Sequence, residues 1–350
     1  MDEHELLRES AARLIPWCRE IRRALPWRQD PTPYRVWISE IMLQQTRIEA
    51  VIPYYYRFLA ALPDAAALAA APDDELMKLW EGLGYYSRAR NLKKAAQLIT
   101  DEYGGELPRS AEELRKLPGI GDYTAGAIAS IACGEPEPAV DGNVLRVVMR
   151  LTACGDDVLS QKTRRRVTEA LRAVYPRGEE AGLLTEGLME LGETLCLPNG
   201  EPLCGSCPLR SLCLAHREGR ESDFPKRSPK KERRVEEKTV LLLRCGGRYA
   251  LRRRGEAGLL AGMWEFPNLP GKQDAATVRE SLERRGLAPG EIRPCGEARH
   301  VFTHIEWHMT GFLAEISRQS GEFEWKTPEE IRAGYAIPTA FRAYQKLTEK

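Results

Sequence analysis

Four cysteines fall within the stretch CLPNGEPLCGSCPLRSLC, with seven, two and five residues separating Cys196, Cys204, Cys207 and Cys213. Thiolates this close in sequence can close around one metal centre, and binding a metal there adds to the free energy of folding. Tetrahedral zinc and an iron-sulfur cluster both take four cysteines, and ligand softness does not separate them, so both stay open at this point. The remaining five, Cys18, Cys133, Cys154, Cys245 and Cys295, are scattered among apolar or turn residues and read as small buried hydrophobes. The opening MDEHELLRES lacks the charged-then-apolar order of a signal peptide. A cytoplasmic protein with reduced thiols is therefore expected, not a disulfide framework.

A chain of 350 residues with 43% hydrophobic content has room for two or three packed domains. No apolar run approaches the ~18 residues of a membrane span, so no membrane partner is expected. A formal net charge of +1 gives no global attraction to nucleic acid, and any such affinity must come from local basic stretches. From residue 1 to about 220 apolar residues return every three or four positions, with start signals at Thr32-Pro33 and a capping box at Ser110 and Glu113, which predicts an all-α domain. Residues 221–238 read as an exposed basic linker: PKRSPKKERRVEEK holds seven basic against three acidic residues. From 239 to 350, short β-rich runs such as TVLLLRC and HMTGFLAEI flank the helix-like ATVRESLERRG and predict an α+β domain.

Two places in the helical part have chemistry in them. LPGIGDYTA links two amphipathic stretches through Gly119 and Gly121, a helix, a glycine turn and a helix. Such a turn exposes backbone N–H groups at a new helix start, where a phosphate oxygen is favoured, although an ordinary αα-hairpin looks the same. Twenty residues past Gly121, Asp141 precedes the apolar run of PAVDGNVLRVVMRL, a position that also suits a plain N-cap. The second place is Glu40, between Trp37 and Leu43 on a predicted helix that includes Val36 and Ile41. Burial of a carboxyl on an apolar face raises its pKa, the condition for a general acid at neutral pH, and a solvated glutamate or a core ion pair fits the periodicity equally.

LPGIG-x-x-TA followed at this distance by VDGNVLRV resembles the helix-hairpin-helix and aspartate signature of the endonuclease III superfamily of DNA glycosylases. The resemblance implies an all-α glycosylase domain, about 27–137 a six-helix module and 1–26 with 138–220 an iron-sulfur module. It also implies a 4Fe-4S cluster on Cys196, Cys204, Cys207 and Cys213, with structural zinc as the alternative. The family's first cysteine gap is usually six residues and basic, whereas here Leu197 to Leu203 has seven residues, Glu201 and no basic one. Members that nick the strand carry a lysine two residues after the second hairpin glycine. Tyr123 stands there, so a monofunctional enzyme is expected, because no Schiff base can form without the amine.

PWR, WISEIMLQQTRIE, GLGYYSRARNL and LPGIGDYTAGAI together resemble the MutY family of adenine DNA glycosylases, over nearly the whole chain. By that resemblance Glu40 protonates adenine and activates water, Asp141 stabilises the oxocarbenium ion or bonds to it, and Tyr123 and Asn143 support them. Trp27, Arg28 and Glu186 match the adenine pocket. Leu43, Gln45 and Tyr85 match residues that contact DNA beside the lesion, and Gly119 and Gly121 the backbone-gripping hairpin. The partner implied is double-stranded DNA with adenine opposite 8-oxo-guanine or guanine, acted on by a monomer at the nucleoid. From about Val240 the chain resembles the family's Nudix-like lesion-recognition domain, with Phe302, Thr303 and His304 in its probing loop. Glu283 is followed by Arg284 and Gly271 replaces an upstream glutamate, so no Mg²⁺ and no diphosphate hydrolysis are expected there. A pyrimidine glycosylase, or a catalytically dead iron-sulfur protein, would not need this combination of blocks with both Glu40 and Asp141.

Overall fold

A computed structural model describes residues 1–229, 232–255 and 257–349. The chain divides into two compact units, residues 1–70 with 91–229, and residues 71–90 with those described from 232 on.

The first unit is built from helices. Glu3–Ile21 packs on Glu179–Thr194, and both pack with Gly142–Leu151 and Gln161–Arg172 around Leu14, Val144, Val148, Val167, Leu184 and Leu188. Pro33–Leu43 starts as its sequence predicts: Thr32 accepts from the Arg35 amide and Pro33 takes the first position. The hairpin turn needs glycine at Gly119, whose φ is +80°. Gly121 differs from expectation. Its backbone is extended, as any residue allows, and it serves as N-cap of Asp122–Ala127. The capping box at Ser110 is only half made, because Glu113 turns instead to Tyr103 and Lys116.

The predicted linker 221–238 needs correction at both ends, while Lys230 and Lys231 lie outside the described residues. Phe224 is buried and its carbonyl accepts from the Arg150 guanidinium at 3.0 Å, and the Lys226 carbonyl accepts from the Val158 amide at 3.0 Å. Arg234–Lys238 already belongs to the first strand. Charge density reveals that a segment meets water on one side; it does not reveal that a single aromatic side chain or a ladder of backbone hydrogen bonds holds the other side in place.

The second unit has a mixed sheet of β1 (Arg234–Cys245), β2 (Arg248–Arg253), β3 (Trp264–Glu265), β4 (Asn268–Pro270), β5 (Pro289–Val301), β6 (Ile305–Ile316) and β7 (Glu324–Lys326). Its order is β3-β2-β1-β6-β5, with β4 on β1 and β7 on β2; β1 runs parallel to β6 and β5 antiparallel to it. Alternation along β1 feeds two cores. Val240 and Leu242 meet Ile331, Phe341 and Tyr344 on one face, and Leu241 and Leu243 meet Val278 and Leu282 of helix Ala275–Arg284 on the other.

Candidate active site

Three elements of the first unit bring the predicted chemistry together. Glu40 lies on the last full turn of Pro33–Leu43, whose residues from Val36 to Met42 are all buried, and only 5% of it is exposed. Tyr123, on the first turn of Asp122–Ala127, donates its hydroxyl to Glu40 Oε2 at 2.5 Å. That short helix runs into a single π-turn, Ile128–Ala132, whose Ile131 lines the same cleft. Asp141 caps Gly142–Leu151: Oδ1 accepts from the Val144 amide at 2.8 Å and Oδ2 from the Asn143 side chain at 3.0 Å. All four residues line a cleft of about 820 Å³ with Trp27, Arg28, Leu43, Gln45 and Glu186.

Burial pushes the Glu40 carboxyl up to about 7; the Tyr123 hydrogen bond opposes this and the nearby Asp141 adds to it. Tyr123 is pushed well above the usual phenol range, first by burial and then by Glu40, so it remains a donor. Asp141 sits at the N-terminus of its helix, where the dipole favours a carboxylate. Its pKa is instead raised, because burial outweighs the opposing hydrogen bonds at Val144 and Asn143. Those bonds still favour and orient the ionised form.

The wall beside Trp27 is an ionic lattice. Arg28 meets Glu186 at 3.4 Å and the buried Glu190 at 2.9 Å, Arg22 meets Glu186 at 3.0 Å, and Arg23 joins Glu190 to Glu193, each at 2.5 Å. Of these only Arg28 and Glu186 stood out in the sequence. Glu190 and Glu193 follow Glu186 by four and seven residues, a helical spacing that could have placed them on the same face.

Asn143 is held from behind. Glu179–Thr194 passes so close that a side chain on Gly192 would lie 2.6 Å from Asn143 Cβ, and the buried Arg146 donates to Asn143 Oδ1 at 3.0 Å and to the Gly192 carbonyl at 2.7 Å. Arg146 also donates to the Cys196 carbonyl at 2.8 Å, and Arg150 to the Leu197 carbonyl at 2.8 Å and Cys196 Sγ at 3.3 Å. Neither arginine had a signal in the sequence, where a basic residue on an amphipathic helix reads as solvated. Cys196, Cys204, Cys207 and Cys213 line one cavity with Val147, Leu151, Leu191, Leu195 and Leu209. Burial, with Glu221 and neighbouring sulfurs adding, pushes Cys204 up to about 11, and burial pushes Cys207 to about 11. Arg150, His216 and Glu221 line the same cavity, and among the described residues Cys204, His216 and Glu221 bring ligand atoms within 4.8 Å of one another. Four thiols lining one cavity fit a bound metal centre, whose charge ionises its thiol ligands.

Gln45 and Tyr85 share a backbone signature: both have positive φ, +58° and +46°, uncommon outside glycine and concentrated at functional positions. In the second unit, Phe302, Thr303 and His304 form the tight turn between β5 and β6, closed by the Phe302 amide on the Ile305 carbonyl at 2.8 Å. His304 is thus an exposed turn residue. Phe302 stands edge-on to His300 and Trp307, and Thr303 Oγ1 shares a hydrogen bond of 3.0 Å with the Tyr85 hydroxyl.

Residues 38–176 match the HhH-GPD superfamily of base excision DNA repair proteins, and residues 239–347 match the NUDIX domain. The human adenine DNA glycosylase is 34% identical over 403 aligned positions, which cover 95% of this chain and 73% of the human protein. The chain belongs to the adenine DNA glycosylases. It is an enzyme of base excision repair that hydrolyses N-glycosyl bonds. The helical unit is similar to a thermostable thymine-DNA glycosylase, with a TM-score of 0.56 and 27% identity over 62% of this chain and all of that one. An endonuclease III solved in a non-covalent complex with DNA gives a TM-score of 0.52 and 29% identity, covering 63% of this chain and 99% of that one.

Proposed function

We propose that this adenine DNA glycosylase removes adenine mispaired with 8-oxo-guanine or guanine in duplex DNA, without nicking the strand. The observation that carries the reading is a buried acid pushed to about 7, hydrogen-bonded to Tyr123 and facing Asp141 across one cleft. Adenine leaves readily only when its ring is protonated, and Glu40 is the group in the cleft that can give a proton at neutral pH and then take one from water. As the bond breaks, the sugar gains oxocarbenium character, and Asp141, fixed by the Val144 amide and Asn143, stabilises it or bonds to it. Tyr123 holds Glu40 in place and supplies no amine, which supports hydrolysis without a lyase step. Trp27, Arg28 and Glu186 form the wall that takes the flipped base. Gly119 and Gly121 grip the DNA backbone, Leu43 contacts the DNA beside the lesion, and Gln45 and Tyr85 enter the stack, lowering the cost of flipping.

Residues 1–220 act as the catalytic domain and 239–350 as a lesion reader, through Phe302, Thr303 and His304. Cys196, Cys204, Cys207 and Cys213 hold a 4Fe-4S cluster, which ties the cysteine loop to the fold; zinc fits the same donors. Iron-loaded protein absorbs in the visible range and zinc-loaded protein is colourless. The decisive assay is a duplex with adenine opposite 8-oxo-guanine, offered to the parent enzyme and to Glu40→Gln and Asp141→Asn variants. Adenine release by the parent and its loss in both variants are expected; an inactive parent refutes the reading.

A further inference from the structure

We infer that Lys162 and Arg165, on the first turns of helix Gln161–Arg172, clamp the phosphodiester backbone of the DNA strand that carries the adenine. This rests on the reading of the cleft as the adenine site. The helix has five basic residues and one acidic residue, and its buried side is Thr163, Val167, Ala170 and Leu171. Three of the five cations have partners within the fold. Arg164 donates to the Val140 carbonyl, Arg166 meets Glu3, and Arg172 meets Glu137. Lys162 and Arg165 are exposed and form no ion pair among the described residues.

Arg165 gives the unpaired charge a direction, and Lys162, three residues before it on the same helix, shares its face. Arg164 and Tyr123 line both the cleft of Glu40 and Asp141 and a second groove of about 190 Å³, which Arg165 also lines. The groove therefore leads out of the cleft, between the hairpin residues Asp122 and Tyr123 and the basic helix. A strand whose adenine enters the cleft must carry its neighbouring phosphates away along some such path. Two of the three acids lining the groove are already neutralised, Asp122 by Arg115 and Glu137 by Arg115 and Arg172. Net charge on the whole chain is only +1 and the first cysteine loop offers Glu201 and no cation, so phosphate attraction has to come from local patches of this kind.

The test is the salt dependence of binding by the full-length protein to a duplex with a cleavage-resistant 2′-fluoro-adenosine opposite 8-oxo-guanine. Each phosphate contact contributes about 0.9 to the slope of log K against log salt. A Lys162→Gln/Arg165→Gln double variant should lose roughly 1.8 of that slope. It should bind roughly tenfold more weakly at moderate salt, to the same degree on undamaged duplex, because backbone contacts carry no sequence information. Adenine release in single turnover at saturating enzyme should stay at the parent rate. Arg8→Gln, an exposed cation on helix Glu3–Ile21, serves as control and should leave the slope unchanged. A folded double variant with the parent slope overturns the clamp while leaving the active-site reading intact; a parent that releases no adenine instead overturns that reading.

Discussion

A carboxyl with a pKa of about 7 is half protonated at neutral pH, and Glu40 must be protonated to give its proton to a leaving base. Adenine release measured in single turnover should therefore fall tenfold per pH unit above about 7, and Glu40→Gln should lose roughly 10²- to 10⁴-fold at pH 7. A flat profile to pH 9 would remove Glu40 from the proton-transfer step. The same burial has a consequence for folding. Between 4.5, the ordinary value for Glu, and about 7 the folded chain binds more protons at Glu40 than the unfolded one, so stability falls as pH rises through that window. The difference corresponds to roughly 3 kcal/mol at most. Glu40→Gln, neutral at every pH and still able to accept from Tyr123, should raise the melting temperature of the enzyme at pH 8 and change it little at pH 4. Equal melting curves at pH 8 would show that Glu40 is not strained by its burial.

Helix Gly142–Leu151 links two places that the sequence presents as separate motifs. Its N-cap is Asp141, and five and nine residues on, Arg146 and Arg150 reach backbone oxygens of the cysteine loop at Cys196 and Leu197. Arg146→Met keeps the bulk and leaves the Cys196 and Gly192 carbonyls and Asn143 Oδ1 without that donor. Unpaired buried acceptors cost about 1 to 3 kcal/mol each before relaxation, so a loss of roughly 2 to 4 kcal/mol is expected, together with less metal per chain. Parent-like melting and metal content would refute this role. What the sequence made legible here follows local rules: Thr32-Pro33 starts a helix, Gly119 turns the hairpin, and Asp141 is both cap and site residue. What it hid depends on tertiary contact. Arg146 looks like any basic residue on a helix until Gly192 brings the neighbouring helix within reach, and Arg234–Lys238 looks like linker until β6 supplies its partner strand.

At the scale of the whole molecule the predicted chemistry falls into two sets. Glu40, Tyr123, Asp141 and the four cysteines belong to the helical unit, and the Phe302-Thr303-His304 turn to the other. On the proposed function, the first set determines how fast a flipped adenine leaves and the second determines opposite which base it is sought. Substitutions in the turn should then change preference and spare chemistry. Thr303→Val keeps the shape and removes the hydroxyl, so adenine release opposite guanine at saturating enzyme should be unchanged. Preference for 8-oxo-guanine over guanine in kcat/KM should fall roughly 2- to 12-fold, the equivalent of one hydrogen bond of about 0.5 to 1.5 kcal/mol. That variant also loses the bond between Thr303 Oγ1 and Tyr85. Tyr85→Phe breaks the same bond and leaves the threonine hydroxyl free to meet the lesion, so comparing the two separates reading from positioning. Equal losses in both would mean that Thr303 acts by holding Tyr85; a loss confined to Thr303→Val would place the hydroxyl on the damaged base; and an unchanged preference in both would remove this turn from lesion discrimination.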